Sequence, residues 1–229
     1  MSKGSSAARA SGRALSLSVD VVLLTPGERM LNVLLVGSAS AGSRERWTLP
    51  TGVLRSGESV DDTALRIARD VLGTAPSHLE QAGALSSARR ATQESLVTLA
   101  YVGLAPVGTA PRSGASWVAL SEAGSLAMRQ RDELERSIVA IRGRIDHQPI
   151  AFQLLPNVFT LSELQAVYEM LLGRPLHKAS FRRSLHAAAI VEATDEWRSE
   201  GRGRPAQLFR YSPPRRRRQR RGVRFDLLG

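Results

Sequence analysis

The stretch GVLRSGESVDDTALRIARDVLG, Gly52 to Gly73, constrains this chain more than any other. Its punctuation describes a loop running into a short capped helix. Ser59 stands where a helix needs an N-cap, and Asp62, three residues on, completes a capping-box pair. Gly73 follows Leu72 at the place where a left-handed residue ends a helix. Val60, Ala64, Ile67 and Val71 recur at the spacing of one helical face. The pattern predicts a helix over residues 59–72 with an apolar side that other parts of the chain must cover.

The flanking sequence supplies that cover. LSLSVDVVLL, MLNVLLVG, SLVTLAYVGL and SWVAL are short, rich in Val and Leu, and read as strands. TPGER, with Pro26 and Gly27 together, is the turn between the first two. Strands with an interposed helix predict an α/β unit over residues 15–122. A helical segment follows over 123–155. In it RDELERSIVAIRGRI sets Leu134, Ile138, Ile141 and Ile145 on one stripe. Such a helix can link domains, pair with a copy of itself, or pack on its own domain.

Residues 156–212 change pattern. FTLSELQAVYEMLLGRPL carries a second capping box, Thr160 with Glu163, and a stripe of Leu161, Leu164, Tyr168 and Leu171. Gly173 and Pro175 stop that helix, and another follows near His177 to Ala189 after a very short turn. Phe181, Leu185 and Ala188 mark its core side. Lys178, Ser180, Arg182, Arg183 and His186 are its polar and basic residues. AIVEATDEW and AQLFRY read as a hairpin whose tip, SEGRGRP, holds Arg202 and Arg204 between glycines. Helix, short turn, basic helix and basic hairpin form a winged helix-turn-helix pattern. The second helix can donate to base edges and phosphates in a major groove, and the wing can meet phosphate or a minor groove.

Charge agrees with a polyanionic partner. The 229 residues carry a formal net charge of +11. After position 199, Arg202, Arg204, Arg210, Arg215, Arg216, Arg217, Arg218, Arg220, Arg221 and Arg224 face only Glu200 and Asp226. Residues 213–229 therefore read as an arginine-rich tail, with Arg215, Arg216 and Arg217 as an electrostatic arm for phosphates. The absence of cysteine excludes disulfides, thiolate metal sites and cysteine nucleophiles. No apolar run approaches the roughly 20 residues of a membrane helix. Residues 1–14 are small, polar and basic, without the apolar core of a secretory signal, and are expected to be a disordered lead. The expected compartment is the cytoplasm, with no membrane partner.

The opening stretch resembles the Nudix box, G-x5-E-x7-R-E-U-x-E-E-x-G-U, where U is bulky and apolar. Gly52, Glu58, Arg66 and Gly73 fall at the motif's spacing, while its three acidic positions after the arginine read Ile67, Asp70 and Val71. In an active box, as the resemblance implies, glutamates on one helical face hold a divalent ion that needs several carboxylate oxygens. Two of these positions are branched hydrocarbon here, so neither a catalytic residue, a metal ion nor a cofactor is expected. Binding without cleavage is the expectation. Gly52 allows a tight backbone, Arg44, Arg46 and Arg66 offer cations, Trp47 offers a stacking face, and Glu58 and Asp70 remain as acids.

Taken in order, WTLPTGVLRSGES, FTLSELQAVYEMLLGRPL…FRRSL and GRGRPAQLFRY resemble the Nudix-related transcriptional regulators of the NrtR type. The resemblance covers about Leu15 to Tyr211. It implies a Nudix-like α/β/α sandwich with a mixed sheet, followed by a winged helix-turn-helix. It also implies a dimeric repressor that binds double-stranded DNA, senses a nucleotide such as ADP-ribose, and controls NAD or sugar metabolism. Recognition-helix and wing positions of the family map to Arg182, Arg183, Arg202 and Arg204. Two other readings stand beside it. One is a residual pyrophosphohydrolase that takes a base such as Glu94 from the RRATQES loop. The other is a non-enzymatic interaction protein in a DNA-bound complex.

Overall fold

A computed structural model of the chain describes residues 15–38, 46–89, 94–145, 147–199 and 205–213. The elements run in the order β1 (Leu15–Pro26), β2 (Leu31–Ser38), β3 (Arg46–Thr48), β4 (Thr51–Val53), α1 (Val60–Leu72), β5 (His78–Arg89), β6 (Glu94–Leu104), β7 (Ala115–Ala119), α2 (Met128–Arg144), β8 (Val158–Phe159), α3 (Leu161–Leu172), α4 (Lys178–Ala188), β9 (Val191–Arg198) and β10 (Ala206–Tyr211). Short 3-10 turns at Leu120–Ser125 and Ile150–Leu154 flank α2.

The first seven strands make one mixed sheet. Its path is β3-β2-β1-β6-β5, with β4 also pairing β1 and β7 also pairing β2. β1 and β6 are parallel over Leu15–Leu24 and Ser95–Leu104, and the other pairs are antiparallel. Because successive residues of a strand point to opposite faces, β1 feeds two cores. Val19, Val21 and Leu23 join Ala64, Ile67, Ala68 and Leu72 of α1. Val22 and Leu24 join Leu134, Ile141 and Ile145 on the α2 side. This is the mixed-sheet sandwich expected. Burying a side chain of this size stabilises by roughly 1.5–3 kcal/mol, so α1 is held mainly by its apolar face.

Both capping boxes form. Ser59 Oγ accepts from Asp62 N while the Asp62 carboxylate accepts from Ser59 N, and Thr160 and Glu163 do the same for α3. Such caps are worth about 1 kcal/mol each. α1 ends at Gly73 (φ 77°) and α3 at Gly173 (φ 70°), both left-handed.

Two features depart from the sequence reading, the strand β5 and the place of Glu94. HLEQAGALSSAR carries no period-two alternation, yet it is β5, paired with β6 from His78 opposite Leu104 to Arg89 opposite Glu94. The ladder partner, not local propensity, makes it a strand. Glu94 consequently opens β6 and does not sit in a loop. The apolar stripe of α2 turns inward: Leu134, Ile141 and Ile145 are buried and Ile138 packs against the same core.

That core continues without a break into the second unit. Ile150, Phe152, Leu154, Phe159, Leu164, Tyr168, Phe181 and Leu185 belong to the same buried cluster as Val22 and Leu24. Tyr168 of α3 meets Phe181 of α4 edge-on at 5.4 Å. β8, β10 and β9 form an antiparallel sheet beside these helices, with a register irregularity between Gln207 and Phe209. Among the described residues, no helix is long and apolar enough to cross a membrane.

Candidate functional site

The residues of the opening motif are committed largely to one another. Arg66 donates through Nε to Glu58 Oε1 (2.8 Å) and through Nη2 to Glu58 Oε2 (2.9 Å). Nη2 also reaches the carbonyl of Val53 (3.1 Å). Glu58 Oε2 further accepts from Thr63 Oγ1 (3.0 Å) and Arg55 N (3.3 Å). These donors, the Arg66 guanidinium foremost, hold the Glu58 carboxyl down at about 2, against a partial burial that raises it. The pair thus ties the loop before α1 to the helix itself.

Gly52 lies in β4 opposite Val19. A Cβ added there would stand 3.0 Å from Ile67 Cδ1, so glycine makes room for that isoleucine. Ile67 is 5% exposed and Val71 is half-buried against the same cluster. Asp70 is exposed one turn beyond Arg66. Trp47 falls elsewhere. It pairs with Gly37 on β2 and packs against the core on the α2 side, so the structure does not bring it together with Glu58, Arg66 and Asp70. Arg44 lies outside the described residues, and only the backbone of Arg46, in β3, is described.

A polar cluster that the sequence reading missed occupies the other face of the sheet. Asp20 and Glu133 are buried, with Arg129 between them. Arg129 donates to Asp20 Oδ2 (3.1 Å), Glu133 Oε1 (2.9 Å) and Thr98 Oγ1 (2.6 Å). Thr51 Oγ1 donates to Asp20 Oδ1 (2.5 Å). Burial, and then the hydrogen bond and charge of Asp20, push the Glu133 carboxyl far above the ordinary carboxylate range, with Arg129 opposing. The available signal was an acid inside the apolar run SVDVVLL, which demands a buried partner.

α4 divides as its sequence implies. Phe181 and Leu185 are buried, while Lys178, Ser180, Arg182, Arg183 and His186 are exposed. Ser180 Oγ lies 3.2 Å from His177 Nδ1. Lys178, Arg182 and Arg183 make no ion pair among the described residues, so their cations face solvent. The β9–β10 hairpin leans on α3 through Arg198, which donates to Glu163 Oε1 (2.6 Å). Trp197 beside it is 57% exposed. Arg202 and Arg204 of the hairpin tip, and Arg215, Arg216 and Arg217 of the tail, lie outside the described residues.

A Nudix-type sandwich sharing its core with a winged helix-turn-helix, whose second helix exposes cations, defines a Nudix-related DNA-binding protein. Comparison with known families places the NUDIX domain at residues 14–139 and the NrtR DNA-binding winged helix domain at residues 151–211. The ADPR responsive transcriptional repressor NtrR of Acinetobacter baylyi is 28% identical over 205 residues, 86% of this chain and 82% of that protein. The structure of Shewanella oneidensis NrtR complexed with a 27mer DNA matches with a TM-score of 0.74 at 30% identity, over 86% of this chain and 94% of that chain. A MutT/nudix family protein from Enterococcus faecalis shares the fold, with a TM-score of 0.66 at 22% identity over 87% of this chain and 89% of that chain. The chain belongs to the NrtR family of Nudix-related regulators.

Proposed function

We propose that this chain is a DNA-binding transcriptional repressor whose Nudix-type unit binds ADP-ribose as an effector and does not hydrolyse it. The observation that carries the reading is the exposed cationic face of α4, which makes no ion pair among the described residues, over its buried Phe181 and Leu185. Lys178, Ser180, Arg182, Arg183 and His186 would meet the major groove, and Arg202 and Arg204 the phosphates beside it. Arg215, Arg216 and Arg217 would add sequence-independent attraction. The ADPR responsive repressor of A. baylyi, similar along most of both chains, supports the choice of effector.

Against turnover stand the fates of the motif's acidic positions. A divalent ion in a diphosphate site needs several carboxylate oxygens. Glu58 is bound bidentately by Arg66, Ile67 is core, Val71 is half-buried hydrocarbon and Asp70 remains. This donor set does not fit such an ion. We assign the effector unit to residues 15–122, the connecting segment to 123–155 and the DNA-binding unit to 156–212. Gly52, Arg66 and Asp70 lie at the effector site, and the working form is a homodimer.

A mobility shift with duplex from the chain's own upstream region, at fixed salt and against random duplex, tests the reading. Preference for the upstream duplex, weakened by ADP-ribose, is expected. Equal binding to both duplexes overturns it. Release of AMP from ADP-ribose with Mg²⁺ or Mn²⁺, lost on Asp70→Asn, would overturn the non-hydrolytic part.

A further inference from the structure

One helix is fastened to both units. At its N-terminal end, α2 holds the sheet through Arg129, which bonds Asp20 and Thr98. Asp20 is bonded in turn by Thr51, the residue next to Gly52, against which Ile67 of α1 packs. At the other end Arg142 Nε donates to the carbonyl of Leu171 at 2.8 Å, in the last turn of α3. That carbonyl is one of those a helix leaves without an internal partner, and a cation at a helix C-terminus is favoured. Arg142 Nη2 also lies 2.6 Å from where a Cβ on Gly173 would stand, so the guanidinium fills the space that glycine leaves. Arg129 and Arg142 are separated by roughly 20 Å of helix axis.

We propose that Arg142 is the positioning residue through which the effector unit sets the placement of the helix-turn-helix. A change at the effector site reaches Thr51 and Asp20. Arg129 passes it to α2, and α2, moving as one body, passes it through Arg142 to α3. The polar contact has the right character for this. A guanidinium–carbonyl bond is directional, whereas the surrounding contacts of Ile141, Ile145 and Leu171 are apolar and carry no directional preference. Arg142 lies neither at the opening motif nor on α4, so its removal should affect coupling without removing a ligand contact. The inference rests on the effector reading above.

The test is the coupling ratio, the DNA Kd with saturating ADP-ribose divided by the DNA Kd without it, measured on the full chain with the upstream duplex. Couplings of this kind run from roughly 5- to 150-fold. Direct titration of ADP-ribose is measured alongside on each variant. In Arg142→Ala the ratio is expected to fall to about 2-fold or less while the ADP-ribose Kd stays within about threefold of wild type. Arg142→Lys, which keeps a cation near the α3 terminus, is expected to retain an intermediate ratio, and it decides the question if Arg142→Ala does not fold or no longer binds DNA. Ratios equal to wild type in the variants that fold overturn the inference. A wild-type ratio of one despite ADP-ribose binding would instead overturn the effector reading, which keeps the two failures distinct.

Discussion

Replacing Ile67 by glutamate places an acid at the first of the motif's acidic positions, and it should damage the fold more than it supplies any chemistry. Ile67 is 5% exposed, sits among Val19, Val21, Ala64, Ala68 and Tyr101, and touches the face of Gly52. Losing its branched hydrocarbon costs about 2–3 kcal/mol. Arg66 Nε and Nη2 are already committed to Glu58 and the Val53 carbonyl, so the new carboxyl enters a largely apolar setting. Its pKa must rise, at about 1.4 kcal/mol per unit once ionised in solution. A rise of about one to two units brings the total loss to roughly 3–6 kcal/mol at neutral pH. That is a large part of a typical stability of about 5–15 kcal/mol. Urea unfolding at pH 5 and pH 8 reads it out. With a slope of about 2–3 kcal/mol per M, the midpoint should drop by roughly 1–3 M at pH 8. The deficit should be smaller at pH 5. A carboxyl with a raised folded-state pKa binds more protons folded than unfolded, so its cost grows as pH rises. Ile67→Leu, which conserves volume, should lose less than about 1.5 kcal/mol. An unchanged midpoint at pH 8, or a larger deficit at pH 5, would refute the placement of this position in the core.

Three further expectations follow from other parts of the molecule. Glu133 is protonated more readily folded than unfolded, its carboxyl raised from 4.5 to about 8. The folded state therefore loses stability as pH rises from the ordinary carboxylate value toward 8, and Glu133→Gln should flatten thermal stability across that window. A slope unchanged by the substitution would count against the buried acid pair. Ala189, which ends α4 at φ 49°, is a non-glycine residue in the left-handed region. Ala189→Gly should therefore stabilise by about 1 kcal/mol, read as a rise of a few degrees in Tm. Arg182→Ala should cost roughly 1–3 kcal/mol in binding the upstream duplex and relax preference at one base position, whereas removing residues 214–229 should weaken all duplexes alike and flatten the salt dependence.

What was legible beforehand was whatever local chemistry determines. Ser59 with Asp62, Thr160 with Glu163, Gly73 and Gly173 fix helix ends through short-range hydrogen bonds and backbone sign, and each sits where its spacing implies. The inward side of α4 was equally plain, because Phe181 and Leu185 repeat at helical spacing. What escaped depends on partners distant in the chain. β5 is a strand because β6 lies beside it, and nothing in HLEQAGALSSAR says so. Trp47 looked like a stacking face for a ligand, but the pairing of β3 with β2 puts it on the α2 side of the sheet. The Asp20–Arg129–Glu133 cluster joins positions more than a hundred residues apart, and only the isolated acid in SVDVVLL hinted at it.

The erosion of the motif and the unbroken core belong to one physical picture. A metal-dependent hydrolase needs several carboxylates on one helical face, and like charges four residues apart destabilise the helix that bears them. Here Ile67 turns that helix into an ordinary amphipathic one, fixed to the sheet by hydrocarbon and to its own loop by Arg66 and Glu58. A firmly seated α1 transmits displacement instead of absorbing it, because packed interiors resist gradual deformation. On the far face of the same sheet α2 is seated just as firmly by Leu134 and Ile141, and it ends in Arg142 against α3. Under the proposed function, a site built this way is poorly suited to breaking a bond and well suited to passing on the occupancy of a pocket.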